Sequence, residues 1–562
     1  MIDIHCHMLP GIDDGARDMD TALEMARVAV ADGITHTICT PHIYPGLYHN
    51  TAAGIREATA ALRDALRRAD IPLEISHGAD IQIVPELVSG LQDGTLPTLH
   101  GSRYFLFEPP HHIAPPGMLE LVHSAVAAGF VPVITHPERL TYVQQHYATF
   151  AEAAKLGARV VGRDINPVAT LTQRQALQHW DAEVLTHLFG YVEADCRGDI
   201  DALHRAADGV PVLHYFWVAV TRCMTCAEEV ELFSNYVFAK HAYPRRFPRA
   251  QASCPRCHDV CPVTLGEDEA GFCQACDASF SFEGPVLTGG NAGRYFGCGQ
   301  GHRNSVLEAL GGMPPQRRMY AKVVRTPDGS REYRPIDEFD LALYDRASKL
   351  LADASPGDLV FPVGMLEDGA NTVQALRWGY RTWASFFNDR QLYALGRIGA
   401  AIRDLPGDTA EREAFAAAFG KTLEHHNVFC SFKGEGTGPV RSIFHNHVLR
   451  PERCSVEGNP WGAAGGSGGF AGALNRLLAA HGYKEEPTDL VDRAGAVETV
   501  TGRSRPLGHT IASTWAQFQA TPGSAYVTTG DGGATDLPEG SVALVVTDPP
   551  YVDNVHYSEL AD

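Results

Sequence analysis

The chain has 562 residues, of which 44% are hydrophobic and 20% are charged, with a formal net charge of −21 at pH 7. This composition excludes a disordered chain and a globally basic nucleic-acid coat, and at about 100–200 residues per domain it predicts three or four domains. The sequence has no run of 18 apolar residues and starts without a basic or apolar leader, so we expect no membrane span, no secretory signal and a cytoplasmic location.

The first 160 residues alternate between apolar runs of strand length and segments whose apolar residues have helical spacing. Strands are predicted at 2–4, 34–39, 73–76, 104–107 and 131–135. Helices are predicted at 21–32, 51–69 and 118–128. Repeated βα units imply a parallel sheet or barrel, in which functional groups lie at the carboxyl ends of the strands.

A histidine or an acidic residue lies at the end of each of these five strands. These residues are His5 and His7, His42, Asp80, Glu108 and His136. A single histidine is more often a structural residue, but five coincident strand ends favour a metal cluster. Imidazole nitrogens and carboxylate oxygens bind Mn, Fe or Zn, and a pair of such ions activates water for attack on phosphoesters.

Four short blocks in this region carry a resemblance to a known family. The blocks are His5-Cys6-His7, Gly11–Gly15, Thr40-Pro41-His42 and His136–Arg139. With them, residues 1–157 resemble the PHP-type phosphatases of the bacterial capsule and exopolysaccharide family, which are metal-dependent protein tyrosine phosphatases on a distorted βα barrel. The resemblance implies a phosphotyrosine protein as partner, Mn²⁺ or another divalent metal as cofactor, and Arg139 beside the phosphate. The metal ligands that it implies are His5, His7, Asp14, His42, Asp80, Glu108 and His136.

This segment departs from the family pattern at two points. The ligand on the third strand is usually Glu in the family, whereas this chain has the shorter Asp80. The family closes its site with a late Asp-x-His motif, and no Asp-x-His follows residue 136 in this chain. We therefore expect a truncated barrel that lacks two ligands and its last strands and leaves a bare strand edge.

The chain has 13 cysteines, and most of them lie between residues 223 and 298. Their spacing predicts two tetrahedral zinc sites, and complete thiolate sets indicate structural rather than catalytic zinc. The first predicted set is Cys223, Cys226, Cys254 and Cys257. The second predicted set is Cys273, Cys276, Cys298 and His302, with Cys261 as a spare thiol.

Basic residues near these sets leave two interpretations open. The residues are Lys240, Arg245, Arg246, Arg249 and Arg256. They either contact nucleic-acid phosphates or form a solvated face of the protein.

A predicted strand at 542–547 ends in Asp548-Pro549-Pro550-Tyr551. This DPPY motif resembles the catalytic motif of amino-methyltransferases that act on adenine. An exocyclic amine is a poor nucleophile because its lone pair is delocalised into the ring. The resemblance implies that Asp548 and the carbonyl of Pro549 accept hydrogen bonds from the amine N–H groups, and that Tyr551 stacks on the extruded base.

A second apolar strand ends in GRDINP at 162–167, and an acid at such a strand end bonds ribose hydroxyls in nucleotide-binding units. Together with the cysteine sets and the DPPY motif, residues from about 156 onward resemble the large adenine-specific DNA methyltransferases of bacteria that carry zinc ribbons. The resemblance implies DNA as partner and S-adenosylmethionine as cofactor, bound through Asp164 and Asn166. A Gly-rich cofactor loop is absent before GRDINP, and GEGTG at 434–438 is predicted to be an ordinary loop.

The predicted fold class is α/β, with a truncated PHP-type βα barrel followed by zinc ribbons, a helical region and part of a Rossmann-like methyltransferase domain. The predicted segments are a cofactor-side βα segment at 158–215, zinc ribbons at 216–305, a mainly helical insert at 306–460, a Gly-rich linker region at 461–500 and the DPPY segment at 501–562. Both resemblances break off near residues 155–158, so we interpret the chain as a fusion of two incomplete proteins. The alternative to the two enzyme functions is a catalytically inactive zinc-ribbon protein that binds nucleic acid.

Overall fold

The structure is a computed structural model, and it divides the chain into two compact units. The first unit comprises residues 1–160, 486–505 and 536–549, and the second comprises 161–485, 506–535 and 550–562. The described residues are 2–109, 118–135, 159–287, 294–407, 410–436, 438–445, 448–464, 466–493, 496–501, 505–531, 534–538 and 541. None of the helices in these ranges has both the length and the apolar character needed to cross a membrane.

The amino-terminal part of the first unit alternates strands and helices, close to the predicted positions. Its strands are β1 (Ile2–Cys6), β2 (His36–Cys39), β3 (His42–Tyr44), β4 (Tyr48–His49), β5 (Glu74–His77), β6 (Asp80–Gln82), β7 (Tyr104–Glu108) and β8 (Val131–Ile134). Its helices are α1 (Met19–Ala31), α2 (Ala52–Arg68), α3 (Leu87–Asp93) and α4 (Met118–Ala127).

These strands form two sheets. One sheet has the strand order β1-β2-β5, and the other has the order β4-β3-β6-β7-β8. β2 leads into β3 through Thr40 and Pro41, and the proline has no N–H to donate to a regular ladder. The N–H groups of Gly78 and Asp80 bond the carbonyls of Cys39 and Pro41 across the break. β2 and β5 therefore each bend and continue in the second sheet, as β3 and β6.

The bend positions polar side chains on neighbouring strands. His42 and Asp80 are register partners at the first residues of β3 and β6, and both are buried. Glu108 ends the adjacent β7, opposite Gln82. The sequence prediction missed β3 and β6 because strands of three residues that start with a buried polar residue resemble loops.

Helix α2 shows how the helices cover this part of the first unit. It begins after Thr51, whose hydroxyl accepts a hydrogen bond from the N–H of Gly54 at 3.2 Å and so satisfies a free donor of the first turn. Ile55, Leu62 and Leu66 share one helical face and are at most 1% exposed. Burying each such side chain is worth about 1.5–3 kcal/mol, so this face fixes the helix against the sheet.

From residue 161 onward the chain contains many short strands. They are β9 (Val161–Asp164), β10 (Val212–Arg222), β11 (Glu229–Glu231), β12 (Val237–Lys240), β13 (Arg249–Ser253), β14 (Val260–Thr264), β15 (Gly271–Cys273), β16 (Ala278–Phe280), β17 (Tyr295–Gly297), β18 (Arg303–Ser305), β19 (Gln316–Arg325), β20 (Arg331–Pro335), β21 (Ser431–Phe432), β22 (Val440–Arg441), β23 (Cys454–Gly458), β24 (Thr488–Arg493), β25 (Ala496–Thr501), β26 (Thr510–Ala512) and β27 (Ser524–Thr529). The helices of this region are α5 (Pro167–Leu177), α6 (Ala182–Ala202), α7 (Val306–Leu310), α8 (Glu338–Asp353), α9 (Val373–Arg377), α10 (Asp389–Arg403), α11 (Ala410–His425), α12 (Ala473–Glu485) and α13 (Trp515–Ala520).

The largest sheet of the second unit is antiparallel. Its order is β11-β10-β19-β20, and β23 pairs with β10 beside β11. All residues of β10 except Arg222 are buried. The prediction of a mainly helical insert at 306–460 is therefore wrong at both ends, where β19, β20 and β23 lie, while α8 to α11 occupy the middle. The Gly-rich run at 434–438 lies in the turn between β21 and β22, as predicted for a loop.

Residues 461–464 and 466–485 of the predicted linker region are packed structure, and the prediction is wrong for them. Trp461 and Phe470 are at most 1% exposed, and α12 and the β24–β25 hairpin follow them. A Cβ at Gly469 would lie 2.3 Å from the Cα of Gly462. The glycines thus permit a close approach of two backbone segments, and their frequency alone does not indicate flexibility.

A fully buried ion pair ties α10 to β23. Arg390 Nε and Nη2 donate to the two carboxylate oxygens of Glu457 at 2.7 and 2.9 Å. Trp217 Nε1 and Asn388 Nδ2 donate to the same carboxylate at 2.7 and 2.9 Å, and the Tyr215 ring lies 4.0 Å from the guanidinium. Burial alone would raise the pKa of Glu457, but the Arg390 cation lowers it below its usual value.

The two ends of the second unit meet in a small parallel sheet with the order β26-β27-β9. Thr529, the last residue of β27, is the register partner of Asp164, the last residue of β9. The N–H of Gly530 donates to the backbone oxygen of Asp164 at 2.8 Å. Two carboxyl strand ends from distant parts of the sequence therefore lie side by side.

Candidate metal centres and a strand-end site

The structure brings together all six predicted ligands of the first unit that lie among the described residues. They form three overlapping groups, and within each group the candidate ligand atoms lie within 4.8 Å of one another. The groups are His5, His7 and Asp80; His7, Asp14 and His42; and His42, Asp80 and Glu108. The seventh predicted ligand, His136, and the predicted anion-binding Arg139 lie outside the described residues.

His42 lies at the centre of this cluster. Its Nδ1 is 3.5 Å from Asp80 Oδ2 and 3.4 Å from Glu108 Oε2, and its Nε2 is 3.6 Å from Asp14 Oδ1. Asp80 is completely buried and Glu108 is 7% exposed. Removing two carboxylates from water is costly unless positive charge lies close to them. Imidazoles and carboxylates in this arrangement fit a divalent cation, which would supply that charge.

Asp13 is a candidate functional residue that the sequence prediction missed. Its Oδ2 lies 2.7 Å from His7 Nδ1, and its Oδ1 accepts the N–H of Gly15 at 3.0 Å. A carboxylate at Nδ1 favours the tautomer with the proton on that nitrogen, which leaves the lone pair of Nε2 for a metal. Burial would raise the pKa of Asp13, but the hydrogen bond with His7 lowers it below its ordinary value.

Two consecutive acids, Asp13 and Asp14, in the Gly11–Gly15 block could have indicated this role. The family resemblance implied only Asp14 as a ligand. The Asp13 side chain is completely buried, whereas that of Asp14 is 58% exposed. Asn50 fixes the same loop, because its Nδ2 donates to the backbone oxygens of Ile12 and His42 at 2.9 and 2.8 Å. Asp13 and Asn50 therefore position the loop that carries Asp14.

In Asp13→Asn, His7 loses its anionic partner, and we expect the affinity for Mn²⁺ to fall about 10- to 100-fold. Isothermal titration of the metal-stripped full chain measures this affinity directly. Asp32→Asn, at the exposed end of α1, is the matched control and should leave the affinity unchanged. Equal affinities of Asp13→Asn and the unsubstituted chain would contradict the positioning role.

The structure groups the cysteines differently from the predicted sets, and this pairing is corrected. One group, the outer site, is Cys223, Cys226, Cys298 and His302. The other, the inner site, is Cys254, Cys257, Cys273 and Cys276. Strand pairing is the reason, since β12 to β14 pair in one small sheet that leads directly into the β15–β16 hairpin. The β17–β18 hairpin instead contacts the turn that carries Cys223 and Cys226, because Asn304 Nδ2 of β18 lies 3.3 Å from Cys223 Sγ.

Both groups have the dimensions of a tetrahedral zinc site. A Zn–S bond of about 2.3 Å places two thiolates of a tetrahedron about 3.8 Å apart. The sulfur–sulfur distances are 3.7 Å for Cys226–Cys298 in the outer site, and 3.6 and 3.5 Å for Cys254–Cys276 and Cys257–Cys273 in the inner site. The outer site adds His302, whose Nδ1 lies 3.4 Å from Cys298 Sγ. Cys261 belongs to neither group and lies 3.7 Å from the backbone oxygen of Asp259.

Asp164 and Asn166 lie at the end of β9, where the sequence places them. Asp164 Oδ1 accepts the N–H of Asn166 at 2.8 Å, and Asn166 Oδ1 accepts the N–H of Val168 at 2.8 Å. These contacts are those of a helix cap at the start of α5.

Asp531 is a second acid at this sheet edge, and the sequence prediction missed it. It follows β27 in the run Gly530-Asp531-Gly532-Gly533. An acid among glycines directly after an apolar strand could have indicated it in the sequence. Arg163 positions this loop by donating to the backbone oxygen of Asp531 at 2.8 Å. The predicted DPPY residues lie outside the described residues, namely Asp548, Pro549, Pro550 and Tyr551.

Comparison with known proteins relates the amino-terminal segment to one family. Residues 1–169 match the model of the family described as capsular polysaccharide synthesis, CpsB/CapC. The tyrosine-protein phosphatase YwqE of Bacillus subtilis is 39% identical over 158 residues, which are 28% of this chain and 62% of that protein. The tyrosine-protein phosphatase CpsB of Streptococcus pneumoniae is 26% identical over 157 residues, which are 28% of this chain and 65% of that protein.

A solved structure also matches this segment. It is described as one of the crystal structures of YwqE from Bacillus subtilis and CpsB from Streptococcus pneumoniae, unique metal-dependent tyrosine phosphatases. Its sequence is 39% identical, the TM-score is 0.27, and the match covers 28% of this chain and 63% of that chain. The chain therefore spans less than two-thirds of the length of these relatives.

Proposed function

We propose that residues 1–169 form a metal-dependent phosphatase that acts on tyrosine-phosphorylated proteins. The observation that carries the proposal is the convergence of three histidines and three acids from β1, the loop that follows it, and strands β3, β6 and β7. The segment's relatives are named as tyrosine-protein phosphatases, which supports the same substrate class.

The proposed roles follow from the donor set. The six described ligands would hold Mn²⁺ or a similar divalent metal, which when bound supplies Lewis-acid charge to a phosphoester and acidifies water. Asp13 orients His7, and Thr135 donates from its hydroxyl to Asp80 Oδ1 at 2.8 Å, which leaves Oδ2 directed at His42. Arg139 is proposed to bind the phosphate oxygens through its planar pair of donors.

Hydrolysis of p-nitrophenyl phosphate and of a phosphotyrosine peptide by the full chain tests this proposal. We expect no turnover after chelation and recovery of turnover when Mn²⁺ is added back. A phosphoserine peptide serves as the substrate control. Absence of turnover with Mn²⁺, Mg²⁺ and Zn²⁺ alike would reject the activity.

We further propose structural zinc in both cysteine sites. Full sets of four ligands at tetrahedral distances leave no position open for a substrate. In Cys254→Ser the inner site loses one thiolate, and we expect the zinc content to fall from two ions per chain to one. The thermal midpoint should fall as well, because zinc binding contributes directly to folding.

Cys261→Ser is the matched control for this substitution. Cys261 is buried close to the inner site but outside both ligand groups. We expect it to keep two zinc ions, as measured by plasma emission spectrometry of dialysed protein. The assignment would be contradicted if Cys261→Ser held only one zinc ion per chain, or if Cys254→Ser still held two.

For the segment from about residue 156 onward we propose adenine methylation in DNA with S-adenosylmethionine as cofactor. The observation that favours it is the pair of acids, Asp164 and Asp531, at adjacent ends of parallel strands. In nucleotide-binding sheets a ligand lies outside the carboxyl ends of the strands, where such acids accept hydrogen bonds from its ribose hydroxyl groups. The proposed catalytic motif is Asp548-Pro549-Pro550-Tyr551.

Calorimetric titration of the full chain with S-adenosylmethionine separates this proposal from the alternative of an inactive zinc-ribbon nucleic-acid-binding protein. Saturable heat that Asp164→Ala reduces, but that Asp353→Ala at the exposed end of α8 does not, would support the transferase. Absence of heat would reject the transferase. The inactive zinc-ribbon protein would then be supported by DNA binding without methyl transfer.

A further inference from the structure

A short hairpin tip projects from the strands that lead to the inner site. The tip comprises residues 240–249, the ends of β12 and β13 and the loop between them. The backbone turns at Tyr243, whose oxygen accepts the N–H groups of Arg246 and Phe247 at 3.1 and 3.0 Å. The side chains of Tyr243 and Phe247 are 59% and 44% exposed. Two large aromatic rings are thus presented to solvent within five residues.

The same tip carries a local positive charge in an otherwise acidic chain. Lys240, Arg245, Arg246 and Arg249 are all exposed, and residues 240–249 contain no Asp or Glu. Within the part of the chain that the structure describes, no carboxylate lies within ion-pair distance of these four side chains. Arg334, by contrast, pairs with both Asp208 and Glu332 at 2.8 and 2.6 Å.

Acidic residues beside the tip are engaged elsewhere. The tip rests on the backbone of Glu435, whose oxygen accepts the N–H of Ala242 at 2.9 Å. The Glu435 carboxylate accepts the hydroxyl of Tyr333 at 2.6 Å and faces Arg331. On the other side, Asp268 accepts the N–H of Thr264 at 2.6 Å. Neither Glu435 nor Asp268 forms an ion pair with a cation of the tip.

The rings and the cations are also arranged relative to each other. The His241 ring packs on Phe247 with centroids 4.2 Å apart, and the guanidinium of Arg246 lies 5.4 Å from the Phe247 centroid. Tyr243 donates its N–H to His241 Nδ1 at 3.0 Å. A tip that is ordered before it binds loses less conformational entropy when it engages a ligand.

We propose that this hairpin tip is a binding surface for single-stranded nucleic acid. Exposed cations attract the phosphate backbone, and exposed aromatic rings stack on bases that are not paired. A duplex offers the phosphates but keeps its bases stacked inside, so it would use only half of the surface. The proposal depends on neither enzyme activity proposed above, because every group that it uses lies at residues 240–249.

Fluorescence anisotropy with the full chain and labelled oligo-dT tests the proposal, with a DNA duplex of equal length as comparison. We expect tighter binding of the single strand. Arg245→Gln/Arg246→Gln should reduce the slope of log affinity against log salt by about 1.4, since each phosphate contact contributes about 0.7 for single strands. Tyr243→Ala should weaken oligo-dT binding roughly 5- to 100-fold and duplex binding much less.

Arg346→Gln/Lys349→Gln is the matched control, since it removes two exposed cations from α8. It should bind like the unsubstituted chain. Unchanged zinc content and thermal midpoint in the tip variants confirm that they are folded. The proposal is overturned by absence of binding at low salt, by equal losses in the two double variants, or by a preference for duplex. Equal binding to phosphatidylserine vesicles that also requires Arg245 and Arg246 would overturn it as well.

Discussion

His42→Ala is expected to lower metal-dependent hydrolysis of p-nitrophenyl phosphate at least about 100-fold. Substituting a residue that only supports a metal ligand typically lowers metal affinity or activity about 10- to 100-fold. Substituting a ligand itself should therefore lower activity by more. His42 belongs to two of the three ligand groups, and its two ring nitrogens lie 3.4–3.6 Å from Asp80, Glu108 and Asp14. Its removal therefore takes one ligand from each of these two groups. Turnover at saturating Mn²⁺ and the Mn²⁺ affinity together measure the effect.

His36→Ala is the control for this experiment. His36 is the same residue type at the opposite, amino end of β2, where its Nε2 lies 2.9 Å from Ser76 Oγ. We expect near-normal turnover from this variant. If His36→Ala and His42→Ala lose activity equally, a general loss of folding explains the result and the cluster is not the active site.

Glu457→Gln is expected to destabilise the second unit by about 3–5 kcal/mol. The substitution keeps the size of the side chain but leaves the Arg390 cation buried without its counter-charge. Both side chains are at most 1% exposed, so water cannot replace the lost partner. Urea unfolding followed by tryptophan fluorescence measures the change, since Trp217 donates to the same carboxylate.

Two further variants separate the buried charge from a general effect. Glu193→Gln breaks the exposed pair with Arg197, whose side chains are 39% and 55% exposed, and should cost at most about 1 kcal/mol. Arg390→Met/Glu457→Leu removes both charges and should recover much of the lost stability, because no unpaired ion remains. Similar costs for Glu457→Gln and Glu193→Gln would contradict the explanation.

The sequence predicted the first unit well where its pattern was regular. The βα alternation placed His5, His42 and Glu108 near carboxyl strand ends, and such ends meet at one edge of a sheet. It missed the division into two sheets because β3 and β6 have only three residues each and begin with a polar residue, His42 and Asp80. It also missed Asp13, whose role depends on a hydrogen bond to His7 and on burial, neither of which spacing along the chain reveals.

In the second unit, local motifs were predictable and long-range pairing was not. Each Cys-x2-Cys turn is a local feature, but sequence order cannot state which two turns share an ion. Composition misled the prediction at 461–500, where glycines that permit close packing resembled a linker. β10 and β23 are 11 and five residues long and more than 200 residues apart. Their pairing has no signal in either segment alone.

The nested cysteine sites have a consequence for the order of assembly during translation. The inner site closes across 22 residues between Cys254 and Cys276, whereas the outer site closes across 72 residues between Cys226 and Cys298. Closing the longer loop costs about 1 kcal/mol more in chain entropy. The ribosome also needs about 1–5 s to add residues 277–302 at about 5–20 residues per second. We therefore expect the nascent chain to complete the inner site first. Cys223 and Cys226 of the outer site are already synthesised at that point, but Cys298 and His302 are not.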